Sequence, residues 1–220
     1  MRIAIIGAGN VGGALGKGWA RAGHEIVFGV RDPGSGRHAE AAANAGDARV
    51  TSPAQAIAEA QAIVLAVMWN AVEDAVKSCG DLGGRILIDV TNPLQMGAGG
   101  LELAVGFATS GGEIVASLAP GASVFKTLNQ VGFEVMAETT GYAVAPAMFV
   151  AGDDEARKPA VLRLVSDLGF QALDAGPLRV SRLLEPYAML WIHMATTRQM
   201  PANSAFALID HARPRVRRAP

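Results

Sequence analysis

Cysteine, net charge and long apolar runs are all scarce in this sequence of 220 residues. Its one cysteine, Cys79, excludes an internal disulfide framework and a cysteine-rich metal site, and we predict no metal centre. The formal net charge of −1 gives no global positive field, so we expect no nucleic-acid partner. The apolar stretch from Ala62 to Trp69 is far shorter than the roughly 20 residues that span a bilayer. We therefore expect no membrane association and a cytoplasmic location.

Glycine and apolar residues are abundant instead. Half of the chain is apolar and 18% is charged, a composition that builds a buried core and excludes a disordered or fibrous chain. The 26 glycines follow no collagen-like period, so we expect them in turns and at close backbone contacts. The length suits one domain with a small appendage, which we place at residues 1–176 and 177–220.

Short apolar runs alternate with longer helical patterns along the first 176 residues. Eight runs are typical of buried strands: Arg2–Ile6, Glu25–Gly29, Ala48–Val50, Ala62–Val67, Arg85–Val90, Ser123–Leu128, Ala147–Ala151 and Phe170–Asp174. Residues 92–111 show no clean period, and we interpret them as a loop or loose helix. The alternation predicts an α/β fold: a Rossmann-like doubly wound, mostly parallel sheet with a short helical C-terminal extension.

The character of the chain changes after Pro177. Residues 183–194 are apolar on several helical faces, which predicts burial on all sides, either as a central helix or at a dimer interface. Residues 213–220 carry four arginines, which we interpret as a solvated terminus rather than a nucleic-acid contact.

A glycine-rich run lies between the first predicted strand and the first predicted helix. It reads Gly7-Ala8-Gly9-Asn10-Val11-Gly12, a G-x-G-x-x-G pattern. Directly after a strand and at the start of a helix, this pattern indicates a dinucleotide site. The first glycine allows the tight turn, the second lets the backbone approach the diphosphate, and the third lets helix and strand pack closely.

The end of the second predicted strand indicates which dinucleotide binds. NAD enzymes usually place a carboxylate there for the ribose 2′-hydroxyl, but this chain has Val30 followed by Arg31. A guanidinium at Arg31 suits the 2′-phosphate of NADP, and Ser35 and Arg37 offer further contacts. Asp32 leaves NAD open as an alternative, since it can bind the ribose or simply open the turn.

Three more loops are expected beyond the carboxyl ends of the strands. Met68, Trp69, Asn92 and Pro93 are candidate cofactor contacts there. Trp69 is equally typical of a packed core tryptophan, and Asn92 of a turn asparagine.

The sequence identifies no catalytic residue firmly, and three weak candidates remain. Lys126 and Asn129 lie around the end of another strand, and Lys126 either offsets charge on a reduced acceptor or extends to solvent. His193 is a candidate acid near the acceptor, although a core or interface histidine is the simpler interpretation. Hydride transfer between two heterocycles asks the protein mainly for orientation, electrostatics and exclusion of water.

Several segments together resemble a known family. The glycine run, AGHEIVFGVRDP, DVTNPL, VFKTLNQVG and LEPYAMLWI are similar to the coenzyme F420-dependent NADP oxidoreductase family, which includes the reductase domains of six-transmembrane metalloreductases. The resemblance implies a homodimer that passes hydride between NADP(H) and a small redox acceptor, either F420, a flavin or a related compound. It also implies that Gly7, Gly9 and Gly12 hold the diphosphate and that Arg31 holds the 2′-phosphate.

Two other functions remain open from the sequence. An imine or 3-hydroxyacid reductase shares this kind of amino-terminal fold but adds a larger helical domain. A non-catalytic NADP(H)-binding sensor module is compatible with the low charge and the apolar helix.

Overall fold

The computed structural model describes residues 1–210, so the basic tail at 213–220 lies outside the described residues. Ten strands form in chain order: β1 Arg2–Ile6, β2 Glu25–Gly29, β3 Arg49–Thr51, β4 Ala62–Leu65, β5 Ile86–Asp89, β6 Leu94–Gly97, β7 Gly100–Leu103, β8 Ser123–Lys126, β9 Ala147–Gly152 and β10 Gln171–Gly176. Eight of them form one sheet in the order β10-β9-β8-β5-β4-β1-β2-β3. Only β8 and β9 pair antiparallel in it, which confirms the predicted doubly wound, mostly parallel sheet.

Helices cover both faces of this sheet. They are α1 Asn10–Arg21, α2 Ala39–Asn44, α3 Pro53–Ile57, α4 Val72–Cys79, α5 Gly111–Leu118, α6 Phe133–Ala137, α7 Lys158–Asp167 and α8 Ser181–Thr197. Alternate residues of β1 enter two separate cores, Ile3 and Ile5 on one face and Ala4 and Ile6 on the other. This double burial explains why the central strands are apolar throughout.

Residues 92–111 differ from the expected loop or loose helix. They contain the antiparallel hairpin β6–β7. Glycines at both ends of its turn, Gly97 and Gly100, weaken the strand pattern. Helix α5 then starts directly after its N-cap residue Ser110, whose hydroxyl accepts the Glu113 N–H at 3.2 Å.

Helix α8 also differs from expectation, since it is not buried on all sides. Leu184, Ala188 and Trp191 are buried, whereas Leu183 is 65% exposed and Leu190 is 52% exposed. An apolar strip of α8 therefore faces outward. Among residues 1–210, no helix has the length and apolar character needed to cross a membrane.

Candidate active site

The loop between β1 and α1 lies where the strand order reverses. Strand β2 is on one side of β1 and β4 on the other, so a crevice opens beyond their carboxyl ends. Gly7 adopts a φ of +106°, and its N–H donates to the Gly29 carbonyl oxygen at 2.9 Å. A Cβ on Gly7 would overlap the Ala66 carbonyl oxygen, so only glycine fits this turn.

The other two glycines of the run have opposite surroundings. A Cβ on Gly12 would overlap the Gly7 carbonyl oxygen, because α1 packs directly against the loop. A Cβ on Gly9 would meet no atom within 4 Å and would project into open space. Helix α1 also has no side-chain N-cap and no acidic residue in its first turn. Its first N–H groups therefore stay available to an anion beside Gly9.

A cavity of about 590 Å³ extends from this loop between β2 and α4. We call it the switch-point cavity; its walls are Gly7–Gly9, Gly29–Asp32 with Arg37 and His38, Ala66–Met68, and one face of α4. Another cavity, of about 500 Å³, lies at the opposite edge of the sheet, lined by Arg2, His24 and Glu25. Ligands of open α/β sheets bind beyond the carboxyl ends of the strands, so the switch-point cavity is the candidate site.

Two arginines line the switch-point cavity at the end of β2. Val30, just after β2, is buried, and the next side chain, Arg31, is exposed. Arg31 has no ion pair among the described residues. The Arg37 guanidinium lies 4.0 Å from an Asp32 carboxylate oxygen, and its Nε donates to the Ser35 hydroxyl at 3.4 Å. Arg31 is therefore the less encumbered of the two cations.

The loop after β4 carries two of the predicted cofactor contacts, Met68 and Trp69, and only Met68 lines the cavity. Met68 is 78% exposed and lines the cavity. Trp69 instead packs against the core, and its ring lies about 3.1 Å from where a Cβ on Gly111 would be. The structure thus gives Trp69 a packing contact with α5, and it does not line the cavity. Asn70, which the sequence did not single out, does line it.

Asn92 and Asn129 join the loops after β5 and β8. The Asn92 side-chain amide donates to the Asn129 carbonyl oxygen at 2.9 Å, and the Asn129 amide donates to Asn92 Oδ1 at 3.0 Å. Pro93 is buried next to this pair. In the loop after β8, the buried Leu128 has a φ of +57°, a conformation that costs energy in a branched residue. Asn92 and Asn129 therefore hold the loops after β5 and β8 together, but Asn92, Pro93 and Asn129 do not line the switch-point cavity.

Lys126 faces neither acceptor nor solvent, because its side chain is 0% exposed. Its Nζ lies 3.0 Å from Asp89 Oδ2 and 3.1 Å from Glu185 Oε1, and it donates to the Thr91 carbonyl oxygen at 2.5 Å. Glu185, on α8, also accepts the N–H groups of Gly111 and Gly112 at 2.9 and 3.0 Å. The three charged side chains therefore connect β5, β8, α5 and α8 behind the crevice.

A second ion pair joins α5 and α8 nearer the surface. The Arg182 guanidinium donates to both Glu113 carboxylate oxygens, at 2.8 and 2.7 Å. This hydrogen bonding holds the pKa of Glu113 below its usual value, against the opposing effect of partial burial. The third weak candidate, His193, is exposed on α8.

The sequence alone missed His38 and Asp74, which line the cavity, and the ion-pair partners Asp89 and Glu185. His38 and Asp74 were missed because a polar residue in a loop or on a helix is typical of any protein surface. A buried carboxylate at the end of β5 was detectable as the last residue of an otherwise apolar strand.

These surroundings fit a phosphorylated dinucleotide. The open space at Gly9 admits a diphosphate beside the first N–H groups of α1, and Arg31 stands at the β2 side of the same cavity.

Comparisons with known proteins agree with this geometry. Residues 2–93 match the sequence model of the family described as NADP oxidoreductase, coenzyme F420-dependent. A candidate F420-dependent NADP reductase from Arthrobacter sp. FB24 is 29% identical, with a TM-score of 0.87, covering 96% of this chain and 100% of that one. Rat Metalloreductase STEAP3 is 25% identical over 184 residues, 84% of this chain and 36% of the relative. This chain thus spans about a third of that curated relative.

A more distant likeness concerns the fold alone. The reductive aminase from Aspergillus terreus, in complex with NADPH and ethyl levulinate, is 15% identical, with a TM-score of 0.63 over 88% of this chain and 61% of that one. The family match and the relatives confirm the resemblance found in the sequence. Through residues 2–93, the chain is therefore similar to the coenzyme F420-dependent NADP oxidoreductase family.

Proposed function

We propose that this protein transfers hydride between NADP(H) and a deazaflavin such as F420, a flavin, or a similar heterocyclic redox acceptor. The observation that carries the proposal is the open space at Gly9, bordered by the uncapped start of α1 and sharing one cavity with Arg31. The match of residues 2–93 to the family model supports the choice of cofactor.

In this proposal different walls of the switch-point cavity bind different parts of the dinucleotide. Gly7 makes the turn, and the backbone N–H groups that follow it, from Ala8 through Asn10 and Val11 to Gly12, hold the diphosphate. Arg31 binds the 2′-phosphate, with Arg37 and Ser35 as weaker partners because they also interact with Asp32 and with each other. Asp32 remains the basis for the alternative, NAD.

The nicotinamide end would lie towards β4, β5 and β8, beyond Met68 in the cavity wall and towards Asn92 and Pro93 in the loop after β5. The bound dihydronicotinamide supplies the hydride, which carries both electrons to the acceptor ring. The chain has to orient the two rings and keep water out. Met68 supplies an apolar cover, and the Asn92–Asn129 pair holds the loops in place. Lys126 contributes only through this scaffold, since it is buried.

We also propose that two copies associate through the outward apolar strip of α8, formed by Leu183 and Leu190. Exposed leucines repeated along one helix are typical of a surface that another protein covers. In this assembly residues 177–210 serve as an interface and a wall for the acceptor.

The direct experiment is to mix purified protein with NADPH and, separately, F420, FMN, FAD or a ferric chelate, and to follow the loss of NADPH absorbance. We expect acceptor-dependent oxidation with at least one acceptor. Tight NADPH binding without turnover on any acceptor would instead favour a sensor module.

A further inference from the structure

Helix α4 has three distinct faces. Its core face is buried through Val72, Val76 and Cys79. Its outer face carries the ion pair between Glu73 and Lys77, at 2.5 Å. The third face lines the switch-point cavity and consists of Ala71, the residue just before the helix, together with Asp74, Ala75 and Ser78. Asp74 and Ser78 are exposed on this third face, and both border the cavity.

The cavity face of α4 offers hydrogen-bond acceptors. The Asp74 carboxylate has no hydrogen bond and no ion pair with any other side chain or backbone group in residues 1–210, unlike the neighbouring Glu73. The Ser78 hydroxyl donates its proton to the Ala75 carbonyl oxygen at 2.8 Å, which leaves its oxygen as an acceptor. The methyl groups of Ala71 and Ala75 are the smallest side chains that still give an apolar surface, so a flat ring can approach.

The opposite wall of the same cavity has the reverse polarity. Arg31 and Arg37 carry guanidinium donors, and His38 adds a ring N–H. A ligand that fits both walls therefore has an anionic group at one end and a flat ring with a hydrogen-bond donor at the other. The adenosine 2′-phosphate half of NADP has these two features, with the phosphate at one end and the adenine amine at the other.

We propose that Asp74, assisted by Ser78, recognises the exocyclic amine of adenine and thereby selects adenine over other purines. This inference rests on the proposed function, since it assigns the base of the same dinucleotide. The amine donates to the Asp74 carboxylate, whereas the carbonyl of hypoxanthine would place a second acceptor against that carboxylate. Asp74 is thus a specificity-determining residue that takes no part in hydride transfer.

The test measures equilibrium binding of NADPH and of its deamino analogue, in which hypoxanthine replaces adenine. We expect wild-type protein to prefer NADPH by at least about tenfold, the usual effect of one hydrogen bond to a charged group. In Asp74→Asn, whose amide both donates and accepts, the preference should fall to about twofold or less. The matched control is Glu73→Gln, which changes the adjacent carboxylate on the outer face and should keep the full preference.

Two results would overturn the assignment of Asp74. One is equal affinity of the wild-type protein for the two dinucleotides; the other is an unchanged preference in Asp74→Asn. If neither dinucleotide binds to folded wild-type protein, the proposed function fails as well. If both bind with equal affinity, only the assignment of Asp74 fails. Circular dichroism of each variant shows that it is folded.

Discussion

At the scale of single residues, two glycines of the run have different roles in the proposal. Gly9 leaves room for the cofactor, whereas Gly12 lets the helix pack against the loop. Gly9 has a φ of −80° and open space where an added methyl group would lie, so Gly9→Ala should fold with an unchanged Tm. The methyl group would occupy the place of the diphosphate, and we expect NADPH affinity to fall by at least about tenfold. Gly12→Ala, which would overlap the Gly7 carbonyl oxygen, should lower the Tm instead. Thermal unfolding and NADPH titration of the two variants check this contrast.

In the proposed function, Arg31 discriminates between the two nicotinamide cofactors. Arg31→Ala removes a charge-assisted contact to the 2′-phosphate, so NADPH affinity should fall roughly 10- to 150-fold while NADH affinity changes little. Titration of both cofactors measures this, with Arg163→Ala on the far helix α7 as the control. An equal loss for NADPH and NADH would contradict the assignment of NADP.

Residue patterns located the glycine run between a strand and a helix, and Arg31 just after a strand, because both positions follow from local sequence. Val30 is buried directly after β2, and Arg31 is the first exposed residue beyond that strand. The environment of Lys126 was not predictable in the same way, since its partners Asp89 and Glu185 come from distant segments of the chain. Only the folded chain shows that this lysine is paired.

At the scale of elements, the buried ion pairs of Lys126 hold together two strands, β5 and β8, and two helices, α5 and α8. Lys126→Met would leave Asp89 and Glu185 buried without their cation, and we expect the free energy of unfolding to fall by about 3–5 kcal/mol. Urea denaturation measures this, and Lys77→Met on the exposed face of α4 should show no comparable loss. In the double variant Lys126→Met with Glu185→Gln, part of the stability should return because one buried charge is gone.

The Glu113–Arg182 pair makes the junction of α5 and α8 sensitive to acid. Because Arg182 lowers the pKa of Glu113 in the folded protein, the pair stabilises the fold above the unfolded pKa, and this contribution is lost as the pH falls through the lowered folded pKa. Arg182→Gln should therefore lower the Tm near about pH 6, by no more than about 4 °C for a partly exposed pair. Once the pH is below the lowered folded pKa of Glu113, the two proteins should have the same Tm. A Tm difference that stays constant between these pH values would contradict this origin.

The central strands were predictable as elements, and the hairpin β6–β7 was not. Strands β1, β4 and β5 are buried on both faces, so each appears as an uninterrupted apolar run. The hairpin has mixed burial, with Met96 and Glu102 at exposed positions. The glycines at its turn also interrupt any alternation of apolar and polar residues. Its packing against α8 supplies the stability that its own sequence lacks.

At the scale of the whole molecule, the exposed strip of α8 predicts the oligomeric state. Replacing Leu183 and Leu190 with lysine should convert a dimer into monomers while the distant dinucleotide cavity still binds NADPH. Sedimentation velocity measures the change, and Val144→Lys, at another exposed apolar position, is the control. A wild-type protein that sediments as a monomer would contradict the proposed interface.

Glu185 also limits how this protein can be divided or recombined. Its carboxylate binds the first N–H groups of α5 and the ammonium of Lys126, so the last helix completes the interior of the preceding sheet. A fragment ending at residue 176 would keep every strand yet expose a lysine and a helix start that evolved to be covered. Chimeras that exchange the C-terminal segment between homologues should therefore express well only when the donor segment brings a carboxylate to this position.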